Sequence, residues 1–239
     1  PALHSLAEKR FLGAVIPPGT DGHLSLKRAM EVINAHPNVG PFIGTQLIQR
    51  LVTSNPSPAY VGRVAAVFDD DGHGARGNLK AVVRAILLDD EARHPDLSAP
   101  GWGKVREPIL RFSGWARAFG ATSTNGAWAM PDTTDNTIRL GQSPMRSPSV
   151  FNFFRPRYTP PVTELARRGL VAPELQITDE TSIAGYLNFV AIYVDRGWED
   201  LQPPYTAEIA LAADADALVA RVVLLLAGDA FSAATAQAI

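Results

Sequence analysis

The sequence contains no cysteine, so a disulfide framework, a zinc–thiolate centre and a cysteine nucleophile are all excluded. No apolar run approaches the ~20 residues that cross a bilayer as a helix. The longest, Val222 to Ala227, has the length of a core segment, and no membrane span is expected. Histidine is sparse: His4, His23, His36, His73 and His94 form neither an H-E-x-x-H motif nor an i, i+4 pair. His36, ahead of Pro37 at a helix junction, reads as a capping or packing residue. A G-x-S-x-G elbow and a Walker loop are also missing, which removes the motif support for an α/β-hydrolase or a P-loop nucleotidase. There is no dense lysine and arginine stripe, so nucleic acid is not an expected partner. No internal repeat is visible. No secretory leader is visible either, and the chain opens PALHSL without an initiator methionine, as expected of a piece cut from a longer precursor.

What remains is an ordinary globular composition with 46% hydrophobic and 19% charged residues over 239 positions, enough for an ample core. Net charge is −2 but uneven. Residues 1–101 balance at ten basic and ten acidic side chains, residues 102–168 carry ten against four, and residues 169–239 carry two against ten. The simpler reading sets the basic middle beside the acidic tail; the other is a partner-binding patch.

Periodicity is helical almost throughout. Leu26, Ala29, Met30 and Ile33 keep the spacing of one helical face, closed by Pro37. Pro41 stands where a first helical residue belongs, ahead of Ile43, Leu47, Leu51 and Val52. Ser57–Pro58 is a cap followed by a proline at the first helical position, leading Val61, Val64, Ala65 and Phe68. Asn78 caps a stripe of Leu79, Val82, Val83 and Ile86. Glu107–Pro108 opens the next helix, through Ile109, Phe112, Ala116 and Phe119 to Gly120. Beyond residue 162, helices are expected over Thr163–Gly169, along the face Ile183, Leu187, Val190, Ala191 and Val194 with Gly197 past its end, over Asp216–Gly228, and behind a Ser232 cap. No strand period appears. The expected fold is mainly α: a multi-helix orthogonal bundle, one domain over 1–239, with a long ordered loop region rich in proline and aromatics over 121–162.

That loop ends in RSPSVFNFFRPRYTPP, residues 146–161, where no regular period fits. Phe151, Phe153, Phe154 and Tyr158 bring ~150–250 Å² each. At ~25 cal/mol/Å² their burial is worth many kcal/mol before ordering costs. The rings are therefore expected to plug a gap between helices, with Arg146, Arg155 and Arg157 fixed around them. As a structural clasp the loop needs no ligand. As one wall of a cleft it offers aromatic faces from Trp102, Trp115, Trp128 and Tyr158, with arginines for carboxylate, sulfate or phosphate. Trp102, Arg146, Arg155, Arg157 and Tyr158 are the candidate ligand-binding residues, for a carbohydrate or anionic ligand.

Two other features carry chemistry. Gly72-His73-Gly74-Ala75-Arg76-Gly77 fits G-x-G-x-x-G, but the preceding segment is helical in period and Asp69, Asp70 and Asp71 would repel phosphates. Asp69, Asp71 and His73 alternate like the first ligands of a calcium loop, although Lys80 stands where such a loop needs its closing glutamate. A divalent cation there is the one cofactor candidate, beside the reading of a solvated turn with Asn78 as cap. Ser143, Ser147 and Ser149 lie in the irregular region, with no base partner legible.

The blocks HPNVGPFIGTQLIQRLVTSNPSPAYVGRVAAVF, RGNLKAVVRAILLDDEAR, VREPIL and GQSPMRSPSVFNFFRPRYTPP resemble the C-terminal portion of a bacterial family catalogued as domain of unknown function 1800 (DUF-1800), from about His36 to the final helices. The resemblance implies a mainly helical fold, absence of the family's N-terminal helical half from this chain, a bacterial source and frequent export, hence a periplasmic or secreted protein. It also implies association with a second family, domain of unknown function 1501. It implies no reaction and no catalytic residues. The expected function is a non-enzymatic binding or assembly module of an exported protein. The alternative is a hydrolase acting on a polysaccharide or other polymer, its acid and base drawn from Glu107, Asp132, Asp135 or Glu164 near the aromatic loop.

Overall fold

The computed structural model describes residues 3–228, together with residues 234, 235 and 238. The helix expected behind Ser232 lies outside the described residues. Helices dominate, with ten α-helices and four short strands among the described residues, so the fold is mainly α. No described helix is long and apolar enough to cross a membrane. The chain divides into two compact units, Pro1–Lys104 and Val105–Ile239.

The first unit opens with a hairpin of β1 (Lys9–Phe11) and β2 (Ala14–Ile16), paired antiparallel with Phe11 opposite Ala14. Leu12 and Gly13 both take positive φ, 49° and 78°, as a tight two-residue turn matched to strand twist requires. Strands of three residues are too short to show a period of two, which is why this hairpin is unseen in the sequence. Helix α1 (Gly22–Ala35) starts at Asp21, whose carboxylate accepts from the His23 and Leu24 amides. It is followed by α2 (Val39–Leu51), α3 (Pro58–Asp69), α4 (Leu79–Leu88) and the single turn α5 (Asp90–Arg93).

Ile48, Tyr60, Val64, Phe68, Val82 and Ile86, from α2, α3 and α4, form the core of this unit. The two helical glycines of α2 let α3 come close. A methyl on Gly44 would stand 3.1 Å from Val64 Cγ1, and one on Gly40 3.2 Å from the Ala65 carbonyl oxygen. Inside the core the Tyr60 hydroxyl donates to the Ile86 carbonyl at 2.6 Å, so ring burial leaves no orphan polar atom. Ser57 caps α3 through its Oγ, as its place before Pro58 predicts, and its own amide and hydroxyl donate to Glu91. Helix α2 begins at Val39, two residues ahead of the expected Pro41 start. The α1 stripe is a larger departure: Leu26 and Met30 are 63% and 59% exposed, whereas Ser25 is buried. Helix α1 meets β2 and α2, and those contacts leave its most apolar side in solvent.

The second unit is built from α6 (Pro108–Ala118), α8 (Glu180–Arg196) and α10 (Ala215–Ala227). Between them lie β3 (Thr122–Ser123), the short α7 (Glu164–Arg167), a 3-10 turn over Pro173–Ile177, β4 (Leu201–Gln202) and the short α9 (Thr206–Ile209). Strands β3 and β4 pair antiparallel. The core is aromatic: Phe112, Trp115, Phe119, Phe189 and Tyr193, with Leu140 and Leu201. Phe112 meets Tyr193 edge-on at 4.9 Å between ring centroids, and Phe189 meets Tyr193 at 5.0 Å.

Helix α8 has two apolar stripes, and the covered one is not the one its aliphatic period suggests. Ser182, Gly185, Phe189 and Tyr193 are buried, while Ile183, Leu187 and Val194 are exposed. The buried stripe combines two large rings with two small residues, which lets backbone come against the helix. A methyl on Gly185 would lie 2.7 Å from the Asn136 oxygen. A reciprocal capping box between Asp179 and Ser182 fixes where α8 begins.

Residues 121–162 hold no helix, as expected, and their backbone groups bond both within the stretch and to residues 172–202. Gln142 and Thr133 close a ring of chain: the Gln142 amide donates to the Thr133 carbonyl at 3.1 Å, and the Thr133 hydroxyl donates to the Gln142 carbonyl at 2.7 Å. Glu107 makes no side-chain cap for α6. Gln142 supplies that bond instead, its Oε1 accepting from the Ile109 amide at 3.2 Å while its Nε2 donates to Glu107.

Candidate functional site

The final part of this loop lines a groove, although not by the packing expected. Phe154 is 2% exposed, but Phe153 and Tyr158 are half-buried and Phe151 is 56% exposed. One ring of the four is a plug. The segment is fastened by polar bonds to the stretch before α8. The Arg155 amide donates to Gln176 Oε1 at 2.7 Å, the Ala172 amide to the Tyr158 carbonyl at 2.9 Å, and the Thr159 hydroxyl to the Leu170 carbonyl at 2.9 Å. Positive φ at Asn152 and Arg157, 67° and 63°, turns the chain twice within six residues, so side chains that follow one another in sequence do not all face inward.

The result is an open groove of about 560 Å³, lined by Phe151, Phe153, Phe154 and Arg155 with Pro148, Ser149, Asn152 and Gln176. Its apolar surface comes from three phenylalanines and a proline. Its polar surface comes from a guanidinium, two amides and a hydroxyl. Neither a carboxylate nor a histidine lines it, so it holds no ordinary general acid or base. Ser149 Oγ accepts from the Phe151 amide at 3.1 Å, and no basic side chain among the lining residues faces it as a deprotonating partner.

Of the arginines singled out in the sequence, Arg155 lines the groove, Arg157 is exposed outside it, and Arg146 pairs with Asp132. Tyr158 is not among the lining residues, and Trp102 lies in the other unit. Trp115 is in the core and Trp128 is exposed, its amide donating to Asp200 at 3.0 Å. The stacking surface is thus phenylalanine rather than tryptophan. Gln176 is the lining residue that sequence reasoning missed. A side-chain bond to a backbone amide 21 positions away leaves no periodic trace.

None of the four carboxylates considered for hydrolysis is among the groove's lining residues. Asp132 accepts from the amide and hydroxyl of Thr134, and the amide bond leads the causes that hold its pKa below the usual carboxylate value. Asp135 does the same with Thr137, whose hydroxyl is the leading cause of its lowered pKa. Both shifts favour the ionised form, the opposite of what a general acid needs near neutrality. Glu107 is engaged by Gln142, and Glu164 pairs with Arg167 and Arg168.

In the first unit, the acidic loop after α3 is a set of side-chain-closed turns. Asp70 Oδ1 accepts from the Gly72 and Gly74 amides at 2.8 and 2.9 Å, and Asp71 Oδ1 from the His73 and Ala75 amides. Asn78 Nδ2 donates to Asp71 Oδ2 at 2.7 Å, the leading cause of a lowered Asp71 pKa. Asp69 pairs with Arg76, whose guanidinium also donates to the Asn34 and His36 carbonyls. Asp69, Asp71 and His73 are not gathered into a ligand set, and no group of three metal-ligating side chains occurs among the described residues. Gly72, Gly74 and Gly77 serve positive φ in a turn that follows a helix, where a dinucleotide loop would need a strand.

With these geometries in place, comparison with known families is decisive on kinship. A family model described as protein of unknown function (DUF1800) matches residues 1–239. The chain belongs to the DUF1800 family. The match begins at residue 1, so the β1–β2 hairpin and α1 belong to the family's extent as well as the blocks from His36 onward. No curated protein and no solved structure matches this DUF1800 chain.

Proposed function

We propose that this DUF1800 chain is a non-enzymatic binding module and that the phenylalanine groove is its ligand surface, taking a carbohydrate or anionic ligand. The observation that carries the reading is the lining itself: half-exposed aromatic rings beside a guanidinium and two amides, with no acid–base pair. Rings beside fixed polar groups are how pockets combine affinity with orientation. The export implied by the family resemblance, and its association with domain of unknown function 1501 proteins, would make the module an assembly partner outside the cytoplasm. A hydrolase would instead need two carboxyls about 5–10 Å apart on one wall.

The test is an array of glycans and polyanions probed with the wild-type protein and with Phe151→Ala. Because Phe151 is more than half exposed, its truncation leaves the fold in place. We expect binding by wild type and a loss of about tenfold in the variant, as for stripping one stacking ring. Binding that ignores Phe151→Ala, or steady depolymerisation of any arrayed glycan, would overturn the reading.

A further inference from the structure

Resting on that reading of the groove, we infer that its ligand is selected by an oxyanion, a carboxylate or sulfate carried on a sugar ring, rather than by neutral hydroxyls alone. A backbone amide can only donate, and the Arg155 amide donates to Gln176 Oε1 at 2.7 Å. That bond fixes the orientation of the side-chain amide, since the reversed one would set donor against donor. The oxygen is already engaged on one lone pair, whereas both hydrogens of the NH2 group are left to offer.

Arg155 lines the same groove, and a guanidinium has donors and no acceptor. Among the described residues no carboxylate pairs with it, in contrast to Arg146, Arg167 and Arg168. One residue therefore ties the two donors together: its backbone orients Gln176 while its own side chain supplies the charge. Ser149 adds a hydroxyl whose oxygen already accepts from the Phe151 amide, so its proton also points to an acceptor.

Neutral sugars are usually held by acceptors and donors in alternation, because each hydroxyl is both. Here the Gln176 and Ser149 oxygens already accept backbone amides, the Asn152 amide offers a donor beside its acceptor, and the lining carries no Asp or Glu to receive a hydroxyl proton. A donor-biased wall beside phenylalanine faces matches a planar oxyanion that receives a forked pair of bonds while its ring stacks.

The experiment is titration calorimetry with oligogalacturonate, its methyl ester, and dextran sulfate. The acid and ester share one backbone and differ in charge. We expect the acid or the sulfate to bind, esterification to weaken binding about tenfold, and Arg155→Gln to bring acid and ester level. Gln176→Glu, which keeps an acceptor for the Arg155 amide but removes the donor, should weaken the acid more than Phe151→Ala weakens the ester. The uronate and sulfate arms identify which oxyanion the site prefers. Equal binding of acid and ester that still falls with Phe151→Ala overturns the oxyanion while leaving the groove as the ligand surface. Binding of the acid that ignores both Phe151→Ala and Arg155→Gln overturns both, whereas no binding of either anion overturns the oxyanion alone, the groove then standing or falling on the glycan array.

Discussion

Gly185 sits where α8 meets the irregular loop, and replacing it with alanine sets two known effects against each other. In an open helix position the exchange gains about 1 kcal/mol, because glycine is the poorer helix former. At Gly185 the new methyl would stand 2.7 Å from both the Asn136 oxygen and the Thr137 carbonyl carbon, and 2.8 Å from the Thr137 oxygen. All three are backbone atoms, so no rotamer change relieves the overlap and the loop itself must move. Overpacking of this kind costs about 1–3 kcal/mol, and rigid neighbours place it in the upper part of that range. The net expectation is a loss of about 1–2 kcal/mol, which lowers Tm by about 3–10 °C for a unit of this size. Thermal unfolding followed by circular dichroism measures it. Gly114→Ala is the control in the same unit, since a methyl in mid-α6 would meet only Arg106 Nη1 at 3.8 Å. It should raise Tm by several degrees. If Gly185→Ala stabilised as much as Gly114→Ala, the close seating of residues 136–137 on α8 would be wrong.

Gln142→Met keeps the side chain's volume but removes the cap of α6 and the contact with Glu107. With the Ile109 amide left unmet, unfolding in urea should show a loss of about 1–3 kcal/mol. Tyr60 and Tyr193 have their hydroxyl pKa values pushed up to about 12, burial being the leading cause in each. The folded value is raised above the unfolded one near 10, so this contribution is complete below about pH 10 and is lost as pH rises towards 12. Denaturant midpoints should therefore fall across that window, with tyrosinate absorbance appearing together with unfolding. A tyrosinate signal that disappears in Tyr60→Phe or Tyr193→Phe, yet precedes any loss of structure in the wild type, would refute it.

Helix starts were the most legible part of this chain because their chemistry is local. Ser57 before Pro58, Glu107 before Pro108 and Asn78 before Leu79 all begin helices as the sequence predicts. Which side of a helix is covered was less legible, since periodicity reports amphipathicity and not what lies opposite. Helix α8 carries apolar residues on two faces, and the rings with Ser182 and Gly185 outcompete the aliphatic stripe because small residues admit backbone. In the aromatic loop the sequence pointed to the segment that lines the groove, Arg155 included, but placed the rings inward. Positive φ at Asn152 and Arg157 redirects them, and non-glycine residues give little warning of that geometry. Gln176 was invisible for a further reason: its role comes from a single bond formed only in the folded chain.

The closed circuit between Thr133 and Gln142 has a bearing on how this stretch can vary. Its circumference is set at both ends, by the paired main-chain and hydroxyl bonds that seal it and by the reach of Gln142 to the first turn of α6. An added or deleted residue inside the circuit would pull the amide away from Ile109, so the start of a helix more than thirty positions upstream would fray. Although it has no regular structure, this stretch should be as intolerant of length change as a helix interior.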